Sequence, residues 1–136
     1  MLILDTSVLA EVLKPVPDPR IGQWLGSQPR EDLYTTALAQ ADILYSIERL
    51  TPGKRRTDLL GAVNEIFAGF ERRVLSFDAD AARALPTILL NRQMMKRDIE
   101  PAQAMLAAIT RSRGATLVSR LPDNFAGCGI RVIAPQ

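Results

Sequence analysis

Four places along the chain carry oxygen side chains able to do chemistry together: Asp5 with Thr6, Asp42, Gln103, and Ser119 followed by Asp123-Asn124. No histidine occurs anywhere, and the only cysteine is Cys128. Ser-His-Asp and Cys-His catalysis, imidazole metal sites and thiolate zinc clusters are thereby excluded. What remains is the chemistry of hard cations such as Mg²⁺ or Mn²⁺, held by carboxylate, amide and hydroxyl oxygens.

These groups fall where an α/β fold would gather them. Leu2-Ile3-Leu4 is a short apolar run that reads as a buried strand ending at Asp5, with Thr6 or Ser7 capping a helix over Val8 to Leu13 that stops ahead of Lys14-Pro15. Glu31 to Thr36 reads as a second strand and Ala37 to Leu50, carrying Asp42, as the helix after it. A short helix spans Arg20 to Ser27, and Thr51-Pro52-Gly53 separates the Asp42 helix from an amphipathic one over Lys54 to Phe70. Arg73 to Phe77 is a third strand, and Asp78 caps a helix reaching Met94-Met95, with a kink or early break expected at Pro86. Pro101 opens the helix bearing Gln103, and Gly114 closes it. Ala115 to Ser119 and Ile130 to Ile133 are the last strands, with a loop from Leu121 to Gly129 between them. Strands alternating with helices predict a three-layer α/β/α sandwich around a central, mostly parallel sheet of four or five strands. Ligands bind outside the carboxyl ends of such strands, where Asp5 and Ser119 lie.

The length of 136 residues suits a single domain over 1–136, and a hydrophobic fraction of 47% with 5% aromatic residues implies an aliphatic core. No stretch reaches the length of a membrane span and no leader-like segment is present, so a cytoplasmic protein is expected. Residues 1–53 carry four basic and seven acidic side chains, residues 54–136 thirteen and eight. An acidic half beside a basic half suits a cation pocket rimmed by arginines, although solvated helix faces account for most of these charges. Asp42 stands out because aspartate is a poor helix former and costly to bury unpaired. Either it is a metal ligand, or it is satisfied by Ser46 one turn on or by a lysine or arginine from elsewhere.

At this point the residues resemble a known family. Leu2-Ile3-Leu4-Asp5-Thr6-Ser7-Val8 is similar to the opening motif of the PIN-domain proteins, in the VapC branch with its FitB-like and plasmid-stability toxins. The likeness continues through Trp24-Leu25, Asp32-Leu33-Tyr34, Gly53-Lys54-Arg55-Arg56, Arg73 to Asp78, Ser112 to Leu117, Phe125 to Gly129 and Ala134-Pro135. It implies a Mg²⁺-dependent endoribonuclease, a homodimeric toxin restrained by a VapB-like antitoxin. An acidic quartet serves such enzymes, and its four positions fall here on Asp5, Asp42, Gln103 and Asn124. Thr6 and Ser119 stand as supporting polar groups, and Arg120 as a phosphate contact facing the crevice or as a salt-bridge partner of Asp5 or Asp42.

The departures from the family pattern predict weakened activity. Asp42 stands where a glutamate is expected and reaches about 1.5 Å less far. Gln103 and Asn124 are neutral amides in place of aspartates, which halves the formal charge of the quartet. A single Mg²⁺ or Mn²⁺, weakly held by Asp5 and Asp42, is the expected cofactor, because Mg²⁺ can bind through one or two carboxylates. Glu100, about a turn before Gln103, and Asp123, beside Asn124, are possible substitutes for the missing carboxylates. The alternative is a catalytically inactive PIN-like protein that binds an antitoxin or RNA. Lys54-Arg55-Arg56 reads as a solvated helix start, Trp24 as core or as the wall of an antitoxin groove, and Cys128 as a packing residue.

Overall fold

The computed structural model describes all of residues 1–136. Five strands, β1 (Leu2–Leu4), β2 (Leu33–Thr36), β3 (Val74–Leu75), β4 (Thr116–Val118) and β5 (Arg131–Ile133), form one all-parallel sheet in the order β3-β2-β1-β4-β5. Leu2 pairs with Leu33 on one side and with Thr116 on the other, so β1 is central.

Alternation along the central strands sorts their side chains between two cores. Ile3 and Leu117 point to one face, where they join Ala81 and Ile88 of α5 (Ala79–Met94) and Leu106, Ala107 and Ile109 of α6 (Pro101–Ser112). Leu4 and Val118 point to the other face, into a core with Val8 and Leu9 of α1 (Thr6–Val12), Ile21 of α2 (Pro19–Gly26), Ile43 and Ile47 of α3 (Ala37–Glu48) and Val63 and Phe67 of α4 (Lys54–Phe70). The result is the expected α/β/α sandwich. Half-buried Trp24 packs against this second core, and Cys128 is fully buried in the first.

Several local expectations are corrected. Asp5 itself, not Thr6 or Ser7, caps α1: its carboxylate accepts the Val8 N–H at 3.2 Å, which starts the helix at Thr6. Helix α5 runs through Pro86 without a break. Pro86 and Ala82 are both exposed, so water can serve the carbonyl that proline leaves without a donor. The second strand is shorter at its start because Arg30–Asp32 forms a 3-10 turn; the third loses Arg73 to a similar turn at Glu71–Arg73 and ends at Leu75, ahead of Ser76 and Phe77. The expected loop after β4 contains a 3-10 turn, Pro122–Phe125. Gly114, at φ +60°, closes α6 as expected of a residue that can adopt the left-handed region.

Candidate active site

The chain winds outward from β1 to β2 and β3, then returns to the other side of β1 for β4 and β5. The direction of winding therefore reverses between β1 and β4, the position at which α/β sheets open a crevice beyond their strand ends. A cleft of about 270 Å³ lies there, and its polar lining includes Asp5, Thr6, Asp42, Gln103, Ser119 and Asn124. Leu38, Leu106 and Phe125 contribute apolar wall.

Asp5 is 6% exposed and its orientation is tightly specified. Oδ1 accepts the Ser7 hydroxyl at 2.6 Å and the Val8 N–H at 3.2 Å. Ser7 is in turn held by the Arg120 backbone N–H, which donates to its Oγ at 3.0 Å. Because β1 is hydrogen-bonded to β4 through Asp5 N–H and Val118 O at 3.1 Å, the backbone beneath the carboxylate is fixed as well.

Asp42 is exposed, so its carboxylate carries no burial cost. Its side-chain partner is neither Ser46 nor a basic residue. Thr6 Oγ1 donates to Asp42 Oδ2 at 2.9 Å, linking α1 to α3, while the Ser46 hydroxyl donates to the Asp42 main-chain carbonyl at 3.0 Å. Ser119 is fully buried, and its Oγ accepts the Leu121 N–H at 3.0 Å, shaping the turn that leads to Asn124.

Three expected contributors lie elsewhere. Arg120 does not face the cleft: its Nη1 donates to Glu11 Oε2 at 2.8 Å, and its side chain lines a separate hollow with Asp18 and Arg20. Glu100 lines an adjoining polar hollow that reaches Gln103 and Asn124 but not Asp5. Asp123 is exposed and lines neither.

Sequence reasoning missed three residues that hold the site. Glu11 is 4% exposed and accepts Lys14 Nζ at 2.6 Å, Arg120 and the Asp18 N–H at 3.0 Å. The Lys14 bond foremost, then the Asp18 N–H, with the charges of Arg120 and Lys14, holds its carboxyl below the usual range against the opposing effect of burial. Ser7 fixes Asp5. Arg92, 4% exposed, donates to the carbonyls of Arg97, Asp98, Asn124 and Ala126 at 2.7 to 3.2 Å, clasping the segment before α6 to the turn that carries Asn124. A signal existed for two of them. Glu11 follows Val8 by three residues and Arg92 follows Ile88 by four, so each is a charge on an apolar helical stripe.

The donor set sets a limit on any cation. Nowhere in the chain do three acidic, histidine or cysteine side chains converge on a common point. Two carboxylates, two amides and the hydroxyls of Thr6 and Ser119 fit one hard divalent ion that keeps most of its water; they do not fit two, since amides add dipoles without charge.

Comparison with known proteins agrees with this architecture. The PIN domain family pattern matches residues 2–125. The chain is 30% identical to the plasmid stability protein StbB of Pseudomonas syringae pv. tomato, over 99% of this chain and 98% of that one. It is 29% identical to the VapC ribonuclease Y4jK of Sinorhizobium fredii, over 99% and 97% respectively. The crystal structure of FitAcB from Neisseria gonorrhoeae superposes with a TM-score of 0.93 at 29% identity, covering 99% of this chain and 98% of that one. The crevice beside β1 thus sits in a fold shared along nearly its full length with these relatives, and with the family pattern running from the first strand to the Asn124 turn, this chain belongs to the PIN domain family.

Proposed function

We propose that residues 1–136 act as a single PIN domain with the role of a VapC-like toxin, paired with a VapB-like antitoxin in the cytoplasm, and that it is a weakened divalent-metal-dependent endoribonuclease. The observation that carries this reading is the meeting of Asp5, Asp42, Gln103 and Asn124 in one cleft at the β1/β4 reversal. The named relatives include a VapC ribonuclease and a toxin, FitB. No helix is long and apolar enough to cross a membrane.

Asp5 and Asp42 are the carboxylates that would hold one Mg²⁺ or Mn²⁺. A cation bound there supplies a more acidic water for attack on a phosphodiester and offsets charge on the leaving oxygen. Ser7 and the Val8 N–H keep Asp5 from rotating, so one oxygen stays presented to the cleft. Thr6 restrains Asp42 in the same way but occupies one of its oxygens. Gln103 and Asn124 supply amide N–H donors suited to phosphate or ribose oxygens, which helps bind a substrate without strengthening the hold on metal. Displacement of a catalytic group by about 1 Å can cost about a hundredfold in rate, so the shorter reach of Asp42 alone is enough to weaken the enzyme.

The two neutral amides also favour a second reading, a binding protein that cuts nothing. Incubation of a mixed RNA pool with antitoxin-free protein and titrated Mg²⁺ or Mn²⁺ separates the two. Metal-dependent cleavage that disappears in Asp5→Ala supports the nuclease; equal silence from both folded proteins supports the binding protein. Sedimentation of the same samples tests the homodimer expected from the family.

A further inference from the structure

Helix α3 carries a second polar surface beyond the cleft. Leu38, Asp42, Tyr45 and Arg49 recur at spacings of four, three and four, which puts them on one face of the helix. Leu38 and Asp42 line the cleft, so this face leads out of it. Tyr45 and Arg49 follow at about 4.5 and 10.5 Å along the helix axis from Asp42.

Neither residue is used by the fold. Tyr45 is 64% exposed although it is one of only two tyrosines in the chain, and its hydroxyl makes no hydrogen bond within the protein. Arg49 is exposed and enters no salt bridge, as is also true of Arg55 on α4, whereas Lys54 pairs with Asp58 and Arg56 with Glu48. The Arg49 guanidinium lies over the Tyr45 ring, 5.5 Å from its centroid. A ring free on the surface with an uncompensated guanidinium beside it is the pairing that holds unpaired nucleic-acid bases by stacking and the adjoining phosphate by charge.

We propose that Tyr45 and Arg49 form a single-stranded RNA subsite, in which Tyr45 stacks a base next to the nucleotide in the cleft and Arg49 contacts the phosphate that follows. This rests on the reading of the protein as one that takes RNA into the cleft. The subsite selects unpaired strands, because a base inside a duplex offers no free face to the ring. It supplies attraction that the depleted cleft lacks, and it does so without touching the carboxylates.

The test is fluorescence anisotropy of a short labelled oligoribonucleotide, single-stranded or annealed to its complement, with EDTA present so that nothing is cut. Wild type is expected to prefer the single strand. Tyr45→Ala should weaken that binding about tenfold, the scale of one lost base stack, whereas Tyr45→Phe, which keeps the ring, should bind as wild type does. Arg49→Ala should weaken binding and flatten its salt dependence by about one counterion. Arg131→Ala, which removes an exposed arginine on edge strand β5, controls for general charge. Unchanged binding by Tyr45→Ala, or an equal loss in Arg131→Ala and Arg49→Ala, overturns the subsite while leaving the nuclease reading in place. Absence of wild-type binding to either probe overturns the RNA reading itself and the subsite with it. Conversion of a wild-type dimer to monomer by Tyr45→Ala assigns the face to contact between copies and also overturns the proposal.

Discussion

Arg120 is bonded twice to α1: its guanidinium to Glu11 across 2.8 Å and its backbone N–H to Ser7 across 3.0 Å. Ser7 and Glu11 are one turn apart, so the end of β4 is locked along a full turn of that helix. Asp5, which receives the Ser7 hydroxyl, takes its alignment from the same lock.

That lock is expected to be sensitive to acid. The Glu11 carboxyl is held below its usual range, first by the Lys14 bond and then by the Asp18 N–H, so its contribution to stability is complete above the unfolded-state value and is lost as pH falls through the depressed native value. Glu11→Gln should therefore melt below wild type near pH 7, with the two melting curves converging below about pH 4. A constant gap across that range would mean that the charge of Glu11 contributes nothing.

Removing the Thr6 hydroxyl with Thr6→Val should cost about 0.5–1.5 kcal/mol in urea unfolding, the ordinary net value of one hydrogen bond. It also frees Asp42 Oδ2. Mn²⁺ affinity followed by paramagnetic resonance should not fall in this variant, and a clear fall would show that Thr6 helps to aim Asp42.

Restoring charge should strengthen metal binding. Gln103→Asp with Asn124→Asp raises the acidic groups lining the cleft from two to four. Mn²⁺ affinity is expected to rise by about tenfold or more, since ligand charge count is a main determinant of affinity for hard cations. Metal-dependent RNA cleavage should rise with it.

The Arg92 clasp should be worth more than any surface contact. Arg92→Met leaves four carbonyls without their donor and should cost about 3 kcal/mol or more. Hydrogen exchange should quicken first at residues 97–101 and 122–126. Uniform acceleration across the sheet would instead show that the clasp serves the whole fold.

Cys128 offers an internal probe of opening. Burial pushes its thiol pKa up, and the side chain has no exposed surface. Iodoacetamide should modify it at the rate of unfolding and not at the rate of an exposed thiol.

The sheet and its helices were legible in the sequence because each apolar run has the period of its element. Ile3 and Leu4 divide between the two cores as strand alternation requires, and the bounds of α4 coincide with its amphipathic pattern. Pro86 does not end α5, because Pro86 and Ala82 face solvent and water can serve the carbonyl left without its donor. The four cleft residues could be listed from strand and helix ends, but side-chain direction could not. Arg120 follows a strand end, where sequence alone allows a basic group to face the crevice or turn from it, and what decides its direction is Glu11, more than a hundred residues earlier. Long-range ion pairs of this kind have no periodicity to betray them.

The central position of β1 has a consequence for the timing of biosynthesis. Leu2, Ile3 and Leu4 are translated more than a hundred residues ahead of one of their two neighbouring strands, Thr116–Val118. A nascent chain arrested before that point has Asp5 and Asp42 but no opposite wall, because Ser119 and the Asn124 turn do not yet exist. Pairing across so long a stretch of sequence is slow to form. The cleft therefore closes late in synthesis, and until then Asp5 and Asp42 face open solvent with no wall across from them.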